Sequence, residues 1–500
     1  MGFARLYTRS TTGMYAPEVI VEVHVANGLP SFSIVGLPDT EIKESRDRVR
    51  SAIQMSGFEF PARRITVNLA PADLPKDSSR FDLPIALGVL IASNLVKPKF
   101  DTDKFEFAGE LALDGALREI KGALAIAYNA RESSRGFILP MGSATEASLV
   151  DGVTVYPAEN LNQVLLHLTG EACILPVEVA KISNYAATVS DLNLNQVRGQ
   201  LSVKMALEIA ASGRHSLLMI GNPGCGKSML AQRLATILPI LSDHEAIATA
   251  SIYSLSSSGF DIANWGRIPF RQPHHSSSKV AMAGGGHYPM PGEISLAHNG
   301  VLFLDEIAEF ERSVIEILRE PLETKKLSLS RARYKVEFPA DFQLIAAMNP
   351  CPCGNNGHPQ KVCKCSVRQT SSYRAKLSGP FLDRIDLVVE MPYLKTEELN
   401  ELPQGEDSSI IRERVINTRN IQLNRQNKLN YALTNQEVVE YCLLASKAKH
   451  LLTRLSATMG VSARVYYKLL KVARTIADLA GKEVIDSAHI ALAMQYKRSL

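Results

Sequence analysis

The stretch HSLLMIGNPGCGKSMLAQRLATIL, residues 215–238, joins an apolar run typical of a buried strand to an amphipathic run typical of a helix. Between the two runs, Gly221, Gly226, Lys227 and Ser228 follow the spacing Gly-x4-Gly-Lys-Ser. In a strand–loop–helix setting this pattern forms a P-loop, because the glycines let backbone N–H groups converge on phosphates at the amino end of the helix. The stretch therefore predicts a nucleotide site at the end of a parallel-sheet strand.

The P-loop pattern assigns a role to the polar groups of the turn. Lys227 is expected to contact the β- and γ-phosphates, and the hydroxyl of Ser228 is expected to ligate Mg²⁺. The cofactor that this pattern predicts is a nucleoside triphosphate with Mg²⁺. The whole predicted binding segment consists of Gly221, Asn222, Pro223, Gly224, Cys225, Gly226, Lys227 and Ser228.

Two apolar runs downstream predict further strands of the same sheet. NGVLFLDEIAEF, residues 299–310, ends its strand in Asp305 and Glu306, and FQLIAAMN, residues 342–349, ends in Asn349. Open parallel sheets bind ligands at the carboxyl ends of their strands. Asp305 therefore suits Mg²⁺, Glu306 suits polarisation of the attacking water, and Asn349 would orient that water or contact the γ-phosphate. The alternatives are an ordinary acidic strand end and a turn residue before proline.

A further candidate is Arg384 in SGPFLDRIDLVVEM, residues 378–391, far in sequence from the P-loop. It is either an ordinary surface arginine or an arginine finger that completes the nucleotide site of a neighbouring subunit. The second interpretation requires a ring, since every subunit then needs a neighbour.

Together these motifs resemble the AAA+ ATPases, and in particular the magnesium-chelatase-like branch that also contains the MCM-type helicases. The stretches that carry the resemblance are GGGHYPMPGEISLAHNGVLFLDE, residues 284–306, and LSGPFLDRIDL, residues 377–387. The match extends to GVSARVYYKLLKVARTIADL, residues 460–479, in which Arg464 corresponds to the sensor-2 arginine of the helical lid. Across its whole length the chain is similar to the YifB/ComM family. That resemblance implies a homohexameric DNA helicase of competence and natural transformation, which promotes branch migration.

The chain of 500 residues is too long for a single core, and the expected fold class is α/β. Its longest apolar run, residues 83–96, is too short to span a membrane and predicts a buried helix. The amino terminus shows no signal peptide, so we expect a cytoplasmic protein without a membrane partner. The expected segments are an α+β domain at 1–168, a linker at 169–198, a P-loop core with a parallel sheet and flanking helices at 199–395, and a helical lid at 396–500.

The amino-terminal domain resembles the catalytic domain of Lon-type proteases over residues 70–93 and 107–134. That family uses a serine nucleophile with a lysine base. In this sequence Arg80 stands at the nucleophile position and Leu124 at the lysine position, whereas Lys121 is three residues out of register. We therefore expect a domain without proteolytic activity that serves in assembly, gating or DNA guidance.

Four of the seven cysteines lie within fifteen positions, in the stretch CPCGNNGHPQKVCKC, residues 351–365. Clustered thiols in a chain without sign of secretion suggest a metal rather than disulfides. Four thiolates match the tetrahedral preference of structural zinc, and free thiols or an iron–sulfur cluster are the alternatives. The predicted zinc clip consists of Cys351, Cys353, Cys363 and Cys365. His358 could substitute for one of these cysteines, but we expect it to serve in the turn.

The alternating stretch within residues 323–341 predicts a cationic β-hairpin. In the AAA+ branch named above, such hairpins project into the central channel of the ring, where cations would follow a phosphate backbone without reading sequence. An exposed edge hairpin blunted by charges is the alternative. A second insertion at 271–293 is expected to form another pore loop. The predicted DNA-binding residues of the hairpin are Lys325, Lys326, Arg331, Arg333 and Lys335.

The last sixty residues, from Tyr441 to Leu500, carry ten Lys or Arg against three acidic residues, a net charge of +7. Such a basic segment is typical of nucleic-acid partners, although a solvated helical face has the same composition. We expect Lys468, Lys471 and Arg474 to add phosphate contacts near the lid.

Two function classes fit the chain, and a third fits poorly. The first is an ATP-driven DNA motor of recombination, with single-stranded or branched DNA and recombination proteins as partners. The second is the ATPase subunit of a magnesium-chelatase-type metal insertion complex, which is typically shorter and lacks both the Lon-like domain and the cysteine cluster. A Lon-like protease is the third, and Arg80 and Leu124 oppose it.

Overall fold

The structure is a computed structural model, and it describes residues 2–11, 14–36, 40–72, 74, 79–177, 192–286, 289–330, 335–394, 403–459 and 462–497. Across these residues there are two large β-sheets, three two-stranded sheets and a helical carboxyl-terminal region, which confirms the predicted α/β class. None of the described helices is both long and apolar enough to cross a membrane.

The amino-terminal part of the chain forms a mixed sheet with flanking helices. Its elements are β1 (Gly2–Arg9), β2 (Glu18–Ala26), β3 (Ser31–Val35), α1 (Thr40–Met55), β4 (Arg64–Ala70), α2 (Asp82–Ala92), β5 (Phe105–Phe107), β6 (Glu110–Leu111), β7 (Leu117–Arg118), α3 (Ala123–Ala130), β8 (Gly136–Pro140), α4 (Met141–Ala147), β9 (Val155–Ala158) and α5 (Leu161–Thr169). Within the described ranges the sheet has seven strands in the order β3-β4-β2-β1-β5-β8-β9. β1, β2 and β4 pair antiparallel, and the other neighbours pair parallel.

The core of this part follows from two sequence patterns. In β2 every second residue is a valine, and the alternation buries Val19, Val21, Val23 and Val25 on one face. Helix α2 is apolar on all sides and nearly every residue is buried, which confirms the buried helix predicted from the long apolar run. Gly88 permits the close packing, since a Cβ atom there would lie 2.5 Å from Cγ2 of Val23.

The central part contains the P-loop in a parallel sheet. Its elements are α6 (Leu201–Gly213), β10 (Leu217–Ile220), α7 (Lys227–Leu234), α8 (Asp243–Ser254), β11 (Phe270–Arg271), α9 (Lys279–Ala283), β12 (Gly284–Gly285), β13 (Met290–Pro291), α10 (Glu293–Leu296), β14 (Val301–Leu304), α11 (Arg312–Ile317), α12 (Pro321–Thr324), β15 (Lys326–Ser330), β16 (Lys335–Pro339), β17 (Gln343–Met348), α13 (Val367–Arg374), α14 (Gly379–Leu382) and β18 (Leu387–Glu390). The described sheet has the order β11-β14-β17-β10-β18, and all its pairs are parallel. β10, β14 and β17 are fully buried because helices cover both faces.

Two insertions leave this sheet. β15 and β16 form the antiparallel hairpin that the charge alternation predicts, with Lys326 opposite Pro339 at its base. The second insertion was expected to be a loop, and that expectation is wrong in part. Its first residue, Arg271, lies in the sheet, and it also contains α9 and the small β12–β13 hairpin.

The carboxyl-terminal part is helical. Its helices are α15 (Ser408–Gln426), α16 (Asn435–Tyr441), α17 (Ser446–Met459), α18 (Ala463–Leu479) and α19 (Ser487–Gln495). α18 packs against α6 and α19, so one apolar core is shared by the lid helices and one face of the central sheet. The amino-terminal part contacts the central part through α8, where Ala250 joins a core with Leu124 and Ala127 of α3. The segment boundaries proposed from the sequence stay predictions.

Candidate nucleotide site

The P-loop connects β10 to α7 at the carboxyl edge of the central sheet. Gly224 and Gly226 have φ angles of +81° and +92°, a left-handed conformation that residues with a Cβ atom rarely adopt. α7 begins at Lys227 directly after Gly226, so the unpaired N–H groups of its first turn adjoin the loop. This is the geometry that a phosphate-binding turn requires.

Lys227 is buried, and its ammonium group lies among three oxygen atoms. Nζ donates to the carbonyl oxygens of Gly221 at 2.7 Å and Asn222 at 3.1 Å, and to Oδ1 of Asn349 at 3.1 Å. The fold therefore brings Asn349 from the end of β17 to the P-loop lysine, 122 residues away in sequence. A phosphate oxygen is a charged acceptor and would compete for this ammonium with these neutral oxygens.

Ser228 and Asp305 meet next to the lysine. Oγ of Ser228 donates to Oδ2 of Asp305 at 2.5 Å, which brings the hydroxyl of the P-loop helix to the carboxylate at the end of β14. A hydroxyl and one carboxylate, together with phosphate oxygens, form the oxygen-rich ligand set that Mg²⁺ takes in nucleotide sites. The residues present thus fit the predicted metal.

Glu306 is held differently from its neighbour Asp305. Its φ angle is +50°, in the left-handed region that non-glycine residues adopt uncommonly. Its side chain is 48% exposed, and its Oε2 lies 4.0 Å from Nδ1 of His275. A carboxylate that is free of strong partners beside the Mg²⁺ ligands can accept a proton from a water molecule.

His275 is a neighbour of the site that sequence reasoning missed. It belongs to the second insertion, and its ring stacks on that of His274 with 4.1 Å between the centroids. The adjacent histidines belong to no motif that marks a nucleotide site. No sequence spacing connects them to Glu306, because the contact depends on how the insertion folds back over the sheet edge.

Cys225 of the P-loop is partly buried. Its sulfur lies 3.9 Å from Sδ of Met391. Burial raises the pKa of Cys225, which disfavours the reactive thiolate. Cys225 therefore packs as a small side chain in the turn.

Arg384 lies at the opposite edge of the central sheet. It precedes β18, and its carbonyl oxygen accepts a hydrogen bond from Oγ of Ser216, the residue before β10. β10 and β18 are parallel, so their amino ends share one edge while the P-loop follows the other. Four-residue strands separate these edges by about 10 Å. Arg384 is therefore remote from the P-loop of its own chain.

The side chain of Arg384 is tied to its own subunit and is 10% exposed. It donates to the carbonyl oxygen of Arg319 from Nε at 3.1 Å and pairs through Nη2 with Glu323 at 2.8 Å. Arg464, at the start of α18, also forms an ion pair with Glu323. Glu323 thus brings together the finger candidate and the sensor-2 candidate, which line one cavity of about 510 Å³.

The predicted site residues therefore form two groups at the two edges of one sheet. The first group surrounds the P-loop and consists of Lys227, Ser228, Asp305, Glu306 and Asn349. The second group consists of Arg384 and Arg464, with Glu323 between them. Within this chain the P-loop is therefore surrounded by the first group, and the second group lies at the other edge of the sheet.

The four clustered cysteines converge. Their ligand atoms all lie within 4.8 Å of one another, and Sγ of Cys351 is 3.5 Å from that of Cys353 and 3.7 Å from that of Cys363. Zn–S bonds of ~2.3 Å in a tetrahedron place sulfur atoms ~3.8 Å apart, so the cluster fits zinc.

His358 lies outside this cluster, as expected. Its Nδ1 accepts backbone N–H groups of Gln360 and Lys361, both at 3.0 Å, and its ring stacks on Tyr393. These contacts stabilise the turn between the cysteine pairs.

The cations of the β15–β16 hairpin are placed only in part. Nζ of Lys325 lies 3.0 Å from the hydroxyl oxygen of Tyr431 and 3.5 Å from Asp341, so it faces the lid helices. Lys326 pairs across the hairpin with Glu337 at 2.7 Å. Arg331, Arg333 and the side chain of Lys335 lie outside the described residues. The DNA contacts of this hairpin stay a prediction.

The lid cations were expected to face phosphates, and for one of them this is wrong. Arg474 is fully buried where α18 packs on its neighbours, and it forms an ion pair with Asp478 at 3.1 Å. Lys468 pairs with Asp386 at 2.7 Å, and Lys471 donates to the carbonyl oxygen of Tyr431. These side chains stabilise the lid in this structure.

Comparison with known proteins agrees with this geometry. Three family models cover most of the chain: the model described as subunit ChlI of Mg-chelatase matches residues 21–143, that of magnesium chelatase, subunit ChlI, matches 193–399, and that of the ChlI C-terminal region matches 405–497. Competence protein ComM of Haemophilus influenzae is 46% identical over 99% of this chain and 98% of its own length. YifB of Escherichia coli is 45% identical over 99% of this chain and 97% of its own.

The chain belongs to the YifB/ComM family of magnesium-chelatase-like AAA+ ATPases. It is therefore an ATPase of this family, with ATP and Mg²⁺ as the cofactors that the family implies. A more distant relative is the DNA replication licensing factor Mcm6 of Drosophila melanogaster, which is 20% identical over 83% of this chain and half of its own length.

The amino-terminal domain of this family member has no protease dyad among its described residues. Arg80 is buried, and its Nη2 donates to the carbonyl oxygen of Lys121 at 3.3 Å. Leu124 is fully buried, and Oγ of Ser79 donates to Glu110 rather than to a lysine. Ser78 lies outside the described residues. The absence of proteolytic activity stays a prediction.

Proposed function

We propose that this protein is an ATP-driven DNA motor that works as a homohexameric ring in the cytoplasm. It would act as a helicase or branch-migration ATPase on recombination intermediates, during the integration of transforming DNA. ATP hydrolysis at subunit interfaces would shift the hairpins of the ring stepwise along DNA. The full-length similarity to a protein named for competence supports the pathway.

The observation that carries the proposal is the separation of the two arginines from the P-loop. Arg384 and Arg464 lie at one edge of the sheet, and the phosphate-binding groups lie at the other. An arginine finger in trans typically accelerates phosphoryl transfer by about 10³–10⁵. A site divided in this way is complete only between two subunits, and a repeated head-to-tail interface closes into a ring.

The cationic hairpin and the distant relative support DNA as the substrate along which the motor moves. β15 and β16 lie in sequence between the Asp305 strand and the Asn349 strand, and β16 leads into the amino end of β17, so this strand joins the hairpin to Asn349. The name of Mcm6, a DNA replication licensing factor, associates a protein of similar sequence with DNA. Contacts from hairpin cations to phosphates would be independent of sequence.

In the same proposal the cysteine cluster holds a structural zinc ion. It closes the segment between Asn349 and Arg384. Three of its sulfur atoms lie 3.5 to 3.7 Å apart, and the ligand atoms of all four cysteines lie within 4.8 Å of one another. Metal analysis of purified protein should give about one zinc per chain. A value below half would contradict the assignment.

The experiment that tests the motor is ATP hydrolysis and strand exchange by purified protein with forked, Holliday-type and three-stranded DNA. Hydrolysis should rise with DNA at low salt, and the rise should shrink as salt increases. Lys227→Ala protein is the control, because it loses the ammonium that meets the phosphates. Hydrolysis that ignores every DNA at low salt would contradict the proposal.

The alternative is the ATPase subunit of a magnesium-chelatase-type complex, and the three matching family models named for magnesium chelatase favour it. It predicts stimulation by a chelatase partner with porphyrin and Mg²⁺, and no response to DNA. The same hydrolysis assay with either addition separates the two functions.

A further inference from the structure

Asn222 connects the P-loop directly to the cysteine clip, defined as residues 351–365. Its side chain is buried, and Nδ2 donates to the carbonyl oxygens of Gly354 at 2.6 Å and Asn356 at 3.2 Å. Both protons of the amide are thus used. The residues involved are 132 and 134 positions apart in sequence.

We propose that Asn222 is a positioning residue through which the metal-loaded clip sets the P-loop, so that nucleotide affinity depends on metal occupancy of the four cysteines. This inference rests on the zinc assignment of the proposed function. It goes beyond that assignment, because a purely structural clip would leave the nucleotide site unchanged.

On the clip side, the acceptors of Asn222 are fixed to a metal ligand. The backbone N–H of Gly354 donates to the carbonyl oxygen of Cys351 at 2.9 Å, and that of Asn356 donates to Sγ of Cys351 at 3.3 Å. Both acceptor residues lie in the turn between the two cysteine pairs. The position of the turn therefore follows the position of the Cys351 sulfur.

On the nucleotide side, Asn222 belongs to the loop that receives phosphate. Its carbonyl oxygen accepts from Nζ of Lys227 at 3.1 Å and from the backbone N–H of Cys225 at 3.3 Å. A displacement of Asn222 therefore changes an oxygen that holds the catalytic lysine. It also moves a backbone segment whose N–H groups must converge on the phosphates.

Close packing adds a second, independent contact between the two loops. Gly354 has a φ angle of +75°, and a Cβ atom there would lie 2.6 Å from Cγ of Pro223. The clip backbone is thus in contact with the P-loop at two successive residues, Asn222 and Pro223. Rigid contact of this kind transmits a shift of one loop to the other.

Metal occupancy would alter the clip because the four ligands close a loop that is otherwise held by contacts within its turn and with the P-loop. Cys353 and most residues of the turn are exposed, so the clip has little apolar core of its own. Loss of a metal from such a segment removes the free energy that orders it. The two carbonyl oxygens would then no longer be presented to Asn222.

The test measures the affinity of the full chain for fluorescent ADP, without added Mg²⁺, in zinc-loaded protein and in protein stripped with a chelator that is removed before the titration. We expect stripping to weaken binding by about tenfold, and zinc reloading to restore it. Asn222→Asp has the same size but lacks the two N–H donors. Its zinc-loaded form should already bind about tenfold more weakly and should lose nothing further on stripping.

The matched control is Asn356→Ala, which removes an exposed side chain but leaves the backbone carbonyl that Asn222 uses. It should keep both the affinity and the zinc dependence of the unaltered protein. Zinc content is measured in every sample. If the purified protein holds a full complement of zinc and stripping leaves its affinity for ADP unchanged, this inference alone is overturned, since the zinc assignment then stands.

Absence of zinc from freshly purified protein overturns the inference together with the zinc assignment. Neither result depends on DNA, so the motor proposal is tested separately. The stripping experiment uses the unaltered chain, and it remains decisive if Asn222→Asp does not fold.

Discussion

Two adjacent carboxylates at the end of β14 have different surroundings, and these indicate different roles. Asp305 is bonded to Ser228, whereas Glu306 is exposed and its carboxylate lies 4.0 Å from the ring of His275. A carboxylate fixed beside a hydroxyl suits a metal, and one that is free suits proton transfer. The positive φ angle of Glu306 departs from the extended backbone of the strand that the sequence pattern predicts.

Glu306→Gln should abolish most ATP hydrolysis while ATP binding remains. The amide has the size of the carboxylate but cannot take a proton from water, so a loss of about 10²–10⁴ in kcat is expected. Steady-state hydrolysis and equilibrium ATP binding measure the two effects. Glu309→Gln, three residues further along and exposed, is the control and should hydrolyse ATP normally. Equal losses in both variants would assign the effect to local structure.

His298 should make the central domain less stable in mild acid. Burial lowers its pKa to about 4, with Asp341 opposing and Arg214 adding to the shift, and its Nδ1 accepts the backbone N–H of Asp341 at 3.0 Å. The unfolded chain takes up a proton near pH 6.5, while the folded chain does so only near the lowered value. Stability from this group is therefore complete above pH 6.5 and is lost as the pH falls.

Between pH 7 and pH 5 the expected loss from this histidine is about 2 kcal/mol. His298→Asn keeps an acceptor but does not titrate, so its urea unfolding midpoint should shift less between these pH values than that of the unaltered protein. The exposed His244→Asn is the control and should keep the full shift. An identical shift in the His298 variant would contradict the assignment.

At the scale of elements, the strands and motifs of the central sheet could be predicted because their signals are local. Each buried strand is a short apolar run, and each is followed by its polar residue, as in Asp305 and Asn349. The contacts that join elements have no local signal. The bonds from Asn222 to the clip and from His275 towards Glu306 depend on how loops fold, which no periodicity encodes.

The β15–β16 hairpin should determine the response to DNA and not the basal ATPase. Arg331→Ala combined with Arg333→Ala should weaken binding of single-stranded DNA and lower the slope of log K against log[salt] by about 2, since two phosphate contacts are lost. Fluorescence anisotropy over a salt series measures both quantities. Lys97→Ala with Lys99→Ala removes the same charge from exposed positions of the amino-terminal part and should leave the slope unchanged.

At the scale of the whole molecule, the division of the site between two sheet edges is the feature that the sequence alone left open. Arg384 was either a surface arginine or a finger, and its motif is the same in both cases. The structure adds that Glu323 holds Arg384 together with Arg464 from the lid, across 80 residues of sequence. Such a pairing depends on the packing of α18 against the central part, and single-residue patterns do not contain it.

If the site is shared, two inactive variants should restore activity when mixed. Lys227→Ala lacks the phosphate-binding ammonium, and Arg384→Ala lacks the guanidinium offered to the neighbour, so each alone should lose hydrolysis. In a ring assembled from equal amounts, an interface is intact when the Arg384 variant supplies the P-loop and the Lys227 variant supplies the arginine. For random mixing this holds for about a quarter of the interfaces, so about a quarter of normal hydrolysis should return.

The two variants must be denatured together or co-expressed so that subunits exchange, and co-purification of differently tagged chains verifies that mixed rings have formed. Mixed rings without any recovery would show that Arg384 acts within its own chain, and the ring would then no longer be required for catalysis.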